Sequence, residues 1–435
     1  MSNILMLMSE PEKIKLHEAV LEILAKIGIS VEHKAILKKL SEFGAEVNME
    51  KQLAKFPKNL IQKYLDNAVK YDWDNAEAYV DAEPGIFMGS YLNPETGKYE
   101  NWSEKIIKNY VKLAKHLPNI GRVEMICCPV SSVPGEIHTL YSKYLNWKYD
   151  MTINSSILDT ALCPFIEEFF SIRAASVGGK IKDLMHGYVF MISPLRFPRT
   201  EAEQFVFCAE KGYGCGIGKM ISIGGSGPVT IAGTVAVHLA ENIFTCVLQH
   251  IYYGKKNLAF GCSISPLDMK RASFCYGRPE KTIANIIYGQ MAVYFGASFE
   301  GGAGQADAKN PGSEAASQKL LTALPQLMHF KNTQIRPGLL SVDEVNSPIQ
   351  LILDNEVVGA LKRIIKPVVI DEDTLALDTI VEAGHGGLFT DKMHTAEHFR
   401  EELWETKLWS GDLFSGWAEK DGKHAEDKAL NIYGK

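Results

Sequence analysis

The sequence lacks the features that would place it outside the ordinary soluble proteins. No stretch approaches the ~20 consecutive apolar residues that cross a membrane. The first residues have no basic leader, and their apolar run is too short for a signal peptide. The formal net charge of −6, without any clustered basic stripe, argues against a nucleic-acid surface. The sequence therefore predicts a cytoplasmic protein that binds neither a membrane nor a nucleic acid.

Several chemical signatures are missing as well. None of the eight cysteines forms a Cys-x-x-Cys pair, and most lie inside apolar runs, so we interpret them as reduced and buried. The chain has no Gly-x-Ser-x-Gly elbow, no P-loop and no Gly-x-Gly-x-x-Gly that opens a helix after a strand. Serine-hydrolase, NTPase and Rossmann interpretations therefore have no support from motifs.

What the sequence does contain is clearest at residues 219–263, which read as a buried strand, a glycine turn, a long helix and a second strand. Pro228 suits the first turn of a helix, where the missing amide hydrogen would have no intrahelical partner. Apolar residues recur at helical spacing from Ile231 to Ile251, and Gly254 ends the helix. Strand, crossover helix and strand form the unit of a parallel sheet.

Residues 103–383 repeat this alternation. Strands are predicted at residues 123–128, 151–154, 184–192, 219–223, 257–262, 297–300, 326–330 and 367–370. Helices are predicted between them at residues 105–116, 164–176, 200–211, 282–295 and 314–324. Seven or eight such units over roughly the length of one barrel favour an α/β fold, a (β/α)8 TIM barrel, rather than an open doubly wound sheet.

Three further regions flank the predicted barrel. Residues 1–71 are predicted to form an N-terminal helical region, because their apolar stripes stop at Gly28 and Gly44. Residues 72–102 are rich in aromatics and turns, and we expect them to be a linker of short strands and loops. Residues 384–435 are predicted to be a C-terminal helical extension, whose tryptophan-rich tail packs on the barrel or on a second subunit.

A barrel carries its active site at the C-terminal ends of its strands, and two glycine-rich loops fall there. The first contains Gly224, Gly225 and Ser226, and the second begins at Glu300. Glycine lets a ligand approach the backbone closely, and a helix that starts there can face an anion. The alternative is that these glycines only make tight turns between strand and helix.

Histidines supply two further candidates. His329 falls at the end of a predicted strand, where it is either catalytic or a buried structural residue. His394 and His398 lie in HTAEH, which matches the H-x-x-E-H pattern of one class of metalloproteases. That pattern follows the presumed barrel, far from its glycine loops, and two histidines four residues apart are common on helix surfaces. We therefore expect no metal site.

Six segments, in order, resemble the trimethylamine methyltransferase family, the corrinoid-dependent methyltransferases of methanogens and acetogens. The segments are IKLHEAVLEILAKIGISVEHKAILKKLSEFGAEVN, GGSGPVTIAGTVAVHLAENI, SPLDMKRASFCYGRPEKTIANIIYGQMAVYFG, GAGQADAKNPGSEAAS, LDNEVV and EAGHGGLFTDKMHTAEHFREELW. The resemblance spans nearly the whole chain. It implies a TIM barrel whose mouth receives a separate corrinoid protein, so that the enzyme itself holds no tightly bound cofactor. Cobalt(I) of that partner would take a methyl group from nitrogen.

One departure from the family narrows the expected substrate. Founding members carry pyrrolysine near the region that reads QLMHFKNTQIR here, whereas this chain has only standard residues. It therefore resembles the members without pyrrolysine, which demethylate quaternary amines such as glycine betaine. A quaternary nitrogen leaves as a neutral amine, so the enzyme needs no general acid and has mainly to bind the cation and orient one methyl. The alternatives are demethylation of another methylated amine and a non-catalytic barrel that binds such amines.

This chemistry, together with the predicted strand ends, selects the substrate-binding candidates. Aromatic faces hold quaternary ammonium ions, and the candidates are Tyr91, Phe299 and Phe330. A carboxylate on the substrate would pair with Arg336 or Lys309. The alternatives are ordinary core positions for the aromatics and solvated loop charges for the basic residues.

The remaining candidates concern the reaction itself. Glu300 and Asp307 are predicted to balance the cation, and His329 to orient the substrate. The loop from Gly224 to Ser226, with Gly225 between them, is predicted to face the corrinoid.

Overall fold

A computed structural model describes residues 6–153, 159–419 and 422–434 of the chain. Its N-terminal region contains α1 (Glu10–Glu22), β1 (Ile29–Val31), α2 (Lys34–Phe43), β2 (Glu46–Asn48), β3 (Leu53–Lys55) and α3 (Lys58–Asp66). The helices were expected from their apolar stripes. The three strands were not, because each is only three residues long and too short to display alternation.

The middle of the chain contains most of the strands and the longest helices. Its strands are β4 (Tyr79–Ala82), β5 (Gly85–Ile86), β6 (Ser90–Leu92), β7 (Tyr99–Asn101), β8 (Glu124–Met125), β9 (His186–Phe190), β10 (Arg196–Phe197), β11 (Gly214–Gly218), β12 (Ile221–Ile223), β13 (Ala259–Cys262), β14 (Ile264–Asp268), β15 (Ser273–Phe274), β16 (Ser298–Gly301), β17 (Asn332–Ile335), β18 (Leu339–Leu340) and β19 (Val345–Asn346). Its helices are α4 (Glu104–His116), α5 (His138–Lys148), α6 (Cys163–Val177), α7 (Ile181–Leu184), α8 (Arg199–Glu210), α9 (Ile231–Tyr253), α10 (Pro279–Phe295), α11 (Ser313–Phe330) and α12 (Pro348–Ile365).

Several of these strands pair in parallel. β9 pairs with β11, β13 with β16, and β5 with β8. Glu124 of β8 also forms a parallel bridge with Thr152. β17 pairs in parallel with β4, so a strand late in the chain lies beside a strand early in it. The side chain of Asn332 in β17 donates a hydrogen bond to the carbonyl of Phe299 in β16 at 3.1 Å. The middle of the chain is therefore an α/β arrangement of neighbouring parallel strands with helices outside them.

Helix α9 connects two strands that do not pair with each other. Among the described residues, β11 and β13 belong to separate strand pairs. Side-chain amides of α9 bond to both of them. Gln249 Nε2 donates to the carbonyl of Cys215 at 2.6 Å, and Asn242 Nδ2 donates to the carbonyl of Gly261 at 3.4 Å. The polar residues of this otherwise apolar helix therefore satisfy backbone groups that a strand ladder would otherwise pair.

Strands β9 and β11 match large side chains with glycines. In register, Tyr188 lies opposite Gly216 and Phe190 lies opposite Gly218. A Cβ added to Gly216 would lie 2.6 Å from a ring carbon of Tyr188, and one added to Gly218 would lie 2.7 Å from a ring carbon of Phe190. The two rings therefore lie across the glycine strand, and a side chain at either glycine would displace them.

Helix α9 is the centre of the largest apolar core. By length and composition alone it could cross a membrane, with a mean hydropathy of 1.5, yet 78% of that apolar window is buried inside the protein. Val235, Leu239, Ile243 and Val247 are fully buried. The helix extends from Ile231 to Tyr253, as its periodicity predicted, although it begins three residues after Pro228.

Three strand predictions need correction. Residues 326–330 are the last turns of α11, and the strand begins only at Asn332, because a short apolar run does not distinguish a buried helix end from a strand. Residues 367–370 form no strand. Residues 221–223 do form one, but it pairs with β14 rather than with the strand after α9. The end of the predicted strand at residues 151–154 lies outside the described residues.

Among the strands of these parallel pairs, β11 was missed, and β4 was expected only as a short strand of a linker. β11 reads GCGIG, and its glycines hide it from any propensity argument. β4 lies in residues 72–102, and its pairing with β17 makes this region more than a linker.

The C-terminal region is attached to the rest of the protein near its end. It contains α13 (Glu372–Leu375), α14 (Leu377–Ala383), α15 (Met393–Glu402), α16 (Phe414–Glu419) and α17 (Ala425–Tyr433). Glu356 of α12 accepts hydrogen bonds from the backbone of Lys407 at 2.7 Å and Leu408 at 3.2 Å, and Leu408 is buried. We call residues 366–403, which precede this attachment, the C-terminal arm.

A buried ion pair joins α11 to α12. Lys319 Nζ lies 2.5 Å from Asp354 Oδ2, and neither side chain is exposed. Asp354 also accepts from the Gly338 amide at 2.8 Å and from Gln350 at 2.7 Å, while Lys319 donates to the carbonyl of Arg336 at 2.9 Å. The pair therefore fixes the backbone that follows β17.

We expect Asp354→Asn to lower the free energy of unfolding by about 3–5 kcal/mol, because it leaves the Lys319 charge buried without its counterion. Replacing both residues, as Lys319→Met with Asp354→Leu, should cost much less, since no charge is then buried. Denaturant unfolding of the two variants measures the difference. A loss below about 1 kcal/mol in the single variant, the range of an exposed pair, would contradict the assignment.

Candidate functional site

A cavity of about 570 Å³ lies among β9, β11, β13, β16 and the segment that follows β17. Residues reach it from the strands, from the loops at their ends and from one side of α9. Its principal lining side chains are Phe87, Tyr188, Phe190, Glu300, Gln334 and Arg336. The volume is in the range of small-molecule sites.

Arg336 is held in this cavity by its backbone and its side chain. Its amide donates to the carbonyl of Gly304 at 3.1 Å, and its carbonyl accepts from Lys319 at 2.9 Å. The guanidinium donates to the carbonyl of Glu83 at 3.3 Å. The residue therefore leaves β17 at a defined angle, with its charge turned towards the cavity.

Several carboxyl groups surround this arginine. Burial raises the pKa of Glu300, the carboxylate of Asp81 raises it further, and Arg336 opposes both effects. Burial likewise raises the pKa of Glu124 and of Glu83, and Arg336 again opposes the rise. Asp81 accepts a hydrogen bond from Gln334 at 3.0 Å. The guanidinium therefore interacts with the carboxyl groups of Glu83, Glu124 and Glu300, and of these three Glu300 lines the cavity.

Two lysines line the cavity on its other side. Lys219 has Cys246 and Glu241 as its electrostatic neighbours, and burial lowers its pKa. Lys255 follows the C-terminus of α9. The cavity lining therefore contains two lysines in addition to Arg336.

Aromatic rings form a wall of the cavity along the glycine strand β11. The rings of Tyr188 and Phe190 lie 5.2 Å apart at 72°, and Phe87 also lines the cavity. Burial raises the pKa of Tyr188, and the charge of Glu300 raises it further, so the phenol stays protonated. Rings beside carboxylates are the chemistry that holds organic cations.

Two of the predicted site residues lie in this cavity. Glu300 faces inward on β16 and Arg336 follows β17. Successive strand residues point to opposite faces, so Phe299 points outward. Its ring packs on that of Phe330 at 4.7 Å, and Phe330 in turn covers Gly289 of α10. These two aromatics are core residues between strands and helices, which is the alternative that the sequence left open.

His329 and Asp307 have partners away from the cavity lining. His329 lies in the last turn of α11, before β17, and therefore at the opposite end of that strand from Arg336; its Nδ1 lies 2.7 Å from the carbonyl of Pro325. The Asp307 carboxylate accepts from the amides of Tyr276 at 2.5 Å and Gly277 at 3.0 Å. It anchors a loop rather than facing the cavity.

Tyr91 and Lys309 also lie outside the cavity lining. The Tyr91 hydroxyl is 3.2 Å from that of Tyr433 in α17, and its ring packs on Trp102. The side chain of Lys309 is exposed, and its carbonyl accepts from Tyr99 at 3.1 Å. The structure therefore separates these residues from Glu300 and Arg336.

The loop from Gly224 to Ser226 forms a tight turn after β12. The Ser222 amide donates to Ser226 Oγ at 2.9 Å, and the Ser226 amide donates to Ser222 Oγ at 2.8 Å. Gly224 has a φ of 82°, which favours glycine. These residues and Gly225 do not line the cavity, although Lys219 and Met220 just before them do. Their contact with a corrinoid stays a prediction.

Tyr188, Phe190 and Gln334 were not predicted as site residues. The first two had a signal, because HGYVF places a ring at every second position and GCGIG places a glycine at every second position. Only the register of the pair reveals that the two patterns fit together.

An α/β fold with a cavity lined by aromatic rings, a carboxyl group and an arginine suits an enzyme for a small organic molecule. The family model "Trimethylamine methyltransferase (MTTB)" matches residues 2–435, and the chain belongs to this family of methyltransferases. The predicted family membership and enzyme class are thus confirmed.

Relatives with assigned activities cover most of the chain at low identity. Trimethylamine methyltransferase MttB of Desulfitobacterium hafniense (strain DSM 10664 / DCB-2) is 22% identical over 98% of this chain and 88% of that protein. The glycine betaine methyltransferase of D. hafniense (strain Y51) is 23% identical over 95% and 88%. Among solved structures, the monomethylamine methyltransferase MtmB of Methanosarcina barkeri aligns with a TM-score of 0.44 and 12% identity, over 97% of this chain and 90% of that one.

We expect Glu300→Gln to be more stable than the parent protein at pH 7 and equally stable near pH 4. The folded-state pKa of Glu300 is raised, so as pH rises the unfolded chain loses this proton first and stability falls. The glutamine variant has no proton to lose and keeps its stability as pH rises. Thermal unfolding at both pH values measures the difference in stability between the variant and the parent protein, with the exposed Glu46→Gln as control. A difference that does not grow with pH would contradict the raised pKa.

Proposed function

We propose that this methyltransferase moves a methyl group from a quaternary amine, a betaine in the first instance, to the Co(I) of a separate corrinoid protein in the cytoplasm. The observation that carries the proposal is the cavity, which is lined by aromatic rings, the carboxyl group of Glu300 and the guanidinium of Arg336. Rings and carboxylates suit the ammonium end of a betaine, and the arginine suits its carboxylate.

The proposed architecture is one closed (β/α)8 barrel. Its strands in order would be β4, β8, the residue at Thr152, β9, β11, β13, β16 and β17. Parallel pairing of β17 with β4 supports closure, because it places the eighth strand beside the first. On this proposal the barrel begins within residues 72–102, between the N-terminal region of residues 1–71 and the C-terminal extension.

In the proposed reaction the chain binds and orients, and the partner supplies the nucleophile. The corrinoid provides Co(I), which accepts the methyl group as the carbon–nitrogen bond breaks. Because the electron pair stays on nitrogen, the product is a neutral amine and no residue has to donate a proton. Tyr188 and Phe190 would hold the methyl groups, Glu300 would balance the ammonium charge, and Arg336 would fix the carboxylate so that one methyl faces the mouth.

A second candidate substrate is a quaternary ammonium ion without a carboxylate. Four carboxyl groups, those of Glu83, Glu124, Glu300 and Asp343, interact with the charge of Arg336. A cation without an anionic end would add no further negative charge beside these carboxyl groups, whereas a betaine would.

Substitution of Arg336 distinguishes the two candidates. We expect Arg336→Met to weaken the use of glycine betaine by about 30-fold or more, because a desolvated carboxylate that loses its partner costs about 2–5 kcal/mol. Use of tetramethylammonium should be unchanged or improved, since the variant removes a repelling charge. Methyl transfer is followed through the cobalt absorbance of a corrinoid protein reduced to Co(I).

The exposed Lys309→Met is the matched control, and it should stay within about twofold of the parent protein. Equal losses with both substrates in Arg336→Met would show that the arginine does not bind a substrate carboxylate. Methyl transfer from trimethylamine and from neither quaternary amine would overturn the proposed substrate class.

We further propose that the C-terminal arm contacts a second copy of this chain. Five of its apolar residues expose more than two thirds of their surface to solvent: Val368 72%, Ile370 76%, Val381 80%, Leu388 70% and Met393 73%. An apolar surface of this extent marks a protein interface, and permanent homodimers have the most apolar interfaces.

We expect Ile370→Asp combined with Val381→Asp to convert an oligomer into a monomer, because each carboxylate would be buried in the interface. Light scattering of the eluting protein measures the mass. Val229→Asp, at a residue outside the arm that is 69% exposed, is the control and should leave the oligomer intact. A monomeric parent protein would refute the interface.

A further inference from the structure

Three metal-ligating side chains meet in the C-terminal arm. One donor atom each from Asp373, His394 and His398 lies within 4.8 Å of the other two. His398 Nε2 is 3.3 Å from Asp373 Oδ2, and the two imidazole rings are 4.2 Å apart. His394 Nε2 lies 3.1 Å from the backbone carbonyl of Asp373. Two imidazoles and one carboxylate therefore converge on one point.

We propose that Asp373, His394 and His398 bind a divalent transition-metal ion, with zinc as the best-fitting ion and water as its fourth ligand. Zinc is commonly held by nitrogen and carboxylate donors in tetrahedral geometry. At metal–ligand bonds of about 2.0–2.2 Å, tetrahedral donors lie ~3.4 Å apart. The observed separations need only small side-chain rotations to reach this distance.

Two features of the fold bring the three donors together. His394 and His398 are one turn apart on α15, so their side chains share a face. Asp373 belongs to the short helix α13, which Asp371 caps through the Thr374 amide at 2.9 Å. The metal would therefore join α13 to α15.

The sequence predicted no metal, because the pattern follows the presumed barrel and two histidines four residues apart are common on helix surfaces. The H-x-x-E-H pattern supplies only its two histidines as ligands, and its glutamate, Glu397, is exposed and is not one of the three converging residues. The third donor belongs to Asp373, upstream in the chain. No described residue of the arm lines the cavity, so the metal has a structural role and is independent of the proposed methyl transfer.

A structural metal would hold α13 and α15 of the arm together. Other contacts within it are few and polar, such as the ion pair between Lys392 and Glu382 at 2.9 Å and the bond from Thr395 to the carbonyl of Phe389 at 2.6 Å. Because the arm exposes its apolar side chains, the core cannot hold it in shape. A metal bond between its helices would do so.

The test is titration of the EDTA-dialysed full-length protein with Zn²⁺ by calorimetry. We expect one equivalent to bind, and Asp373→Asn and His398→Ala to weaken binding by more than roughly 100-fold, since even changes outside the ligand shell cost about 10–100-fold. His385→Ala is the matched control, because His385 is exposed in the same arm but is not one of the converging residues. It should bind as the parent protein does.

Two further measurements distinguish this site from zinc bound by cysteines or by scattered surface groups. Co²⁺ in place of Zn²⁺ should give a visible spectrum without a thiolate charge-transfer band, whereas a site built from cysteines would show one. Zn²⁺ should also slow proteolysis between α14 and α15 in the parent protein but not in His398→Ala. Absence of binding, a thiolate band, or unaltered binding in both ligand variants would overturn the proposal.

Discussion

The position of Arg336 is the constraint on which the cavity depends. The carboxyl groups of Glu83, Glu124 and Glu300 interact with its charge, and burial alone would raise the pKa of each of them still further. Its backbone is fixed from behind by the buried pair of Lys319 and Asp354. An ion pair between two outer helices thus determines where a charge inside the cavity lies, which connects the packing of the fold with its electrostatics.

The aromatic wall of the cavity depends on two glycines of β11, which have no side chains. Gly216 and Gly218 leave room for the rings of Tyr188 and Phe190 to lie across β11, so that flat faces rather than aliphatic side chains border the cavity. The same glycines deprive β11 of strand propensity. The strand therefore depends on β9 on one side and on the amide of Gln249 on the other. The two glycines therefore both make room beside the cavity and weaken the strand that contains them.

The sequence predicted those elements whose signal is periodic. Helix α9 and strands β13 and β16 were found because apolar spacing and terminal glycines mark them, and Glu300 and Arg336 fell in the cavity because they stand near strand ends. His329 was misplaced because the helix end before β17 resembles a strand. Tyr188 and Asp373 could not be predicted from local sequence, because their roles depend on partners distant in the chain.

The amide contacts of α9 also bear on how a family such as this acquires new substrates. A wall made from a strand ladder cannot change at one position without disturbing its neighbours, because each backbone bond fixes the next. Here, Asn242 and Gln249 close the space between β11 and β13 with side chains, each of which a single codon can exchange. Cavity shape can therefore diverge on this side while the strands stay in register.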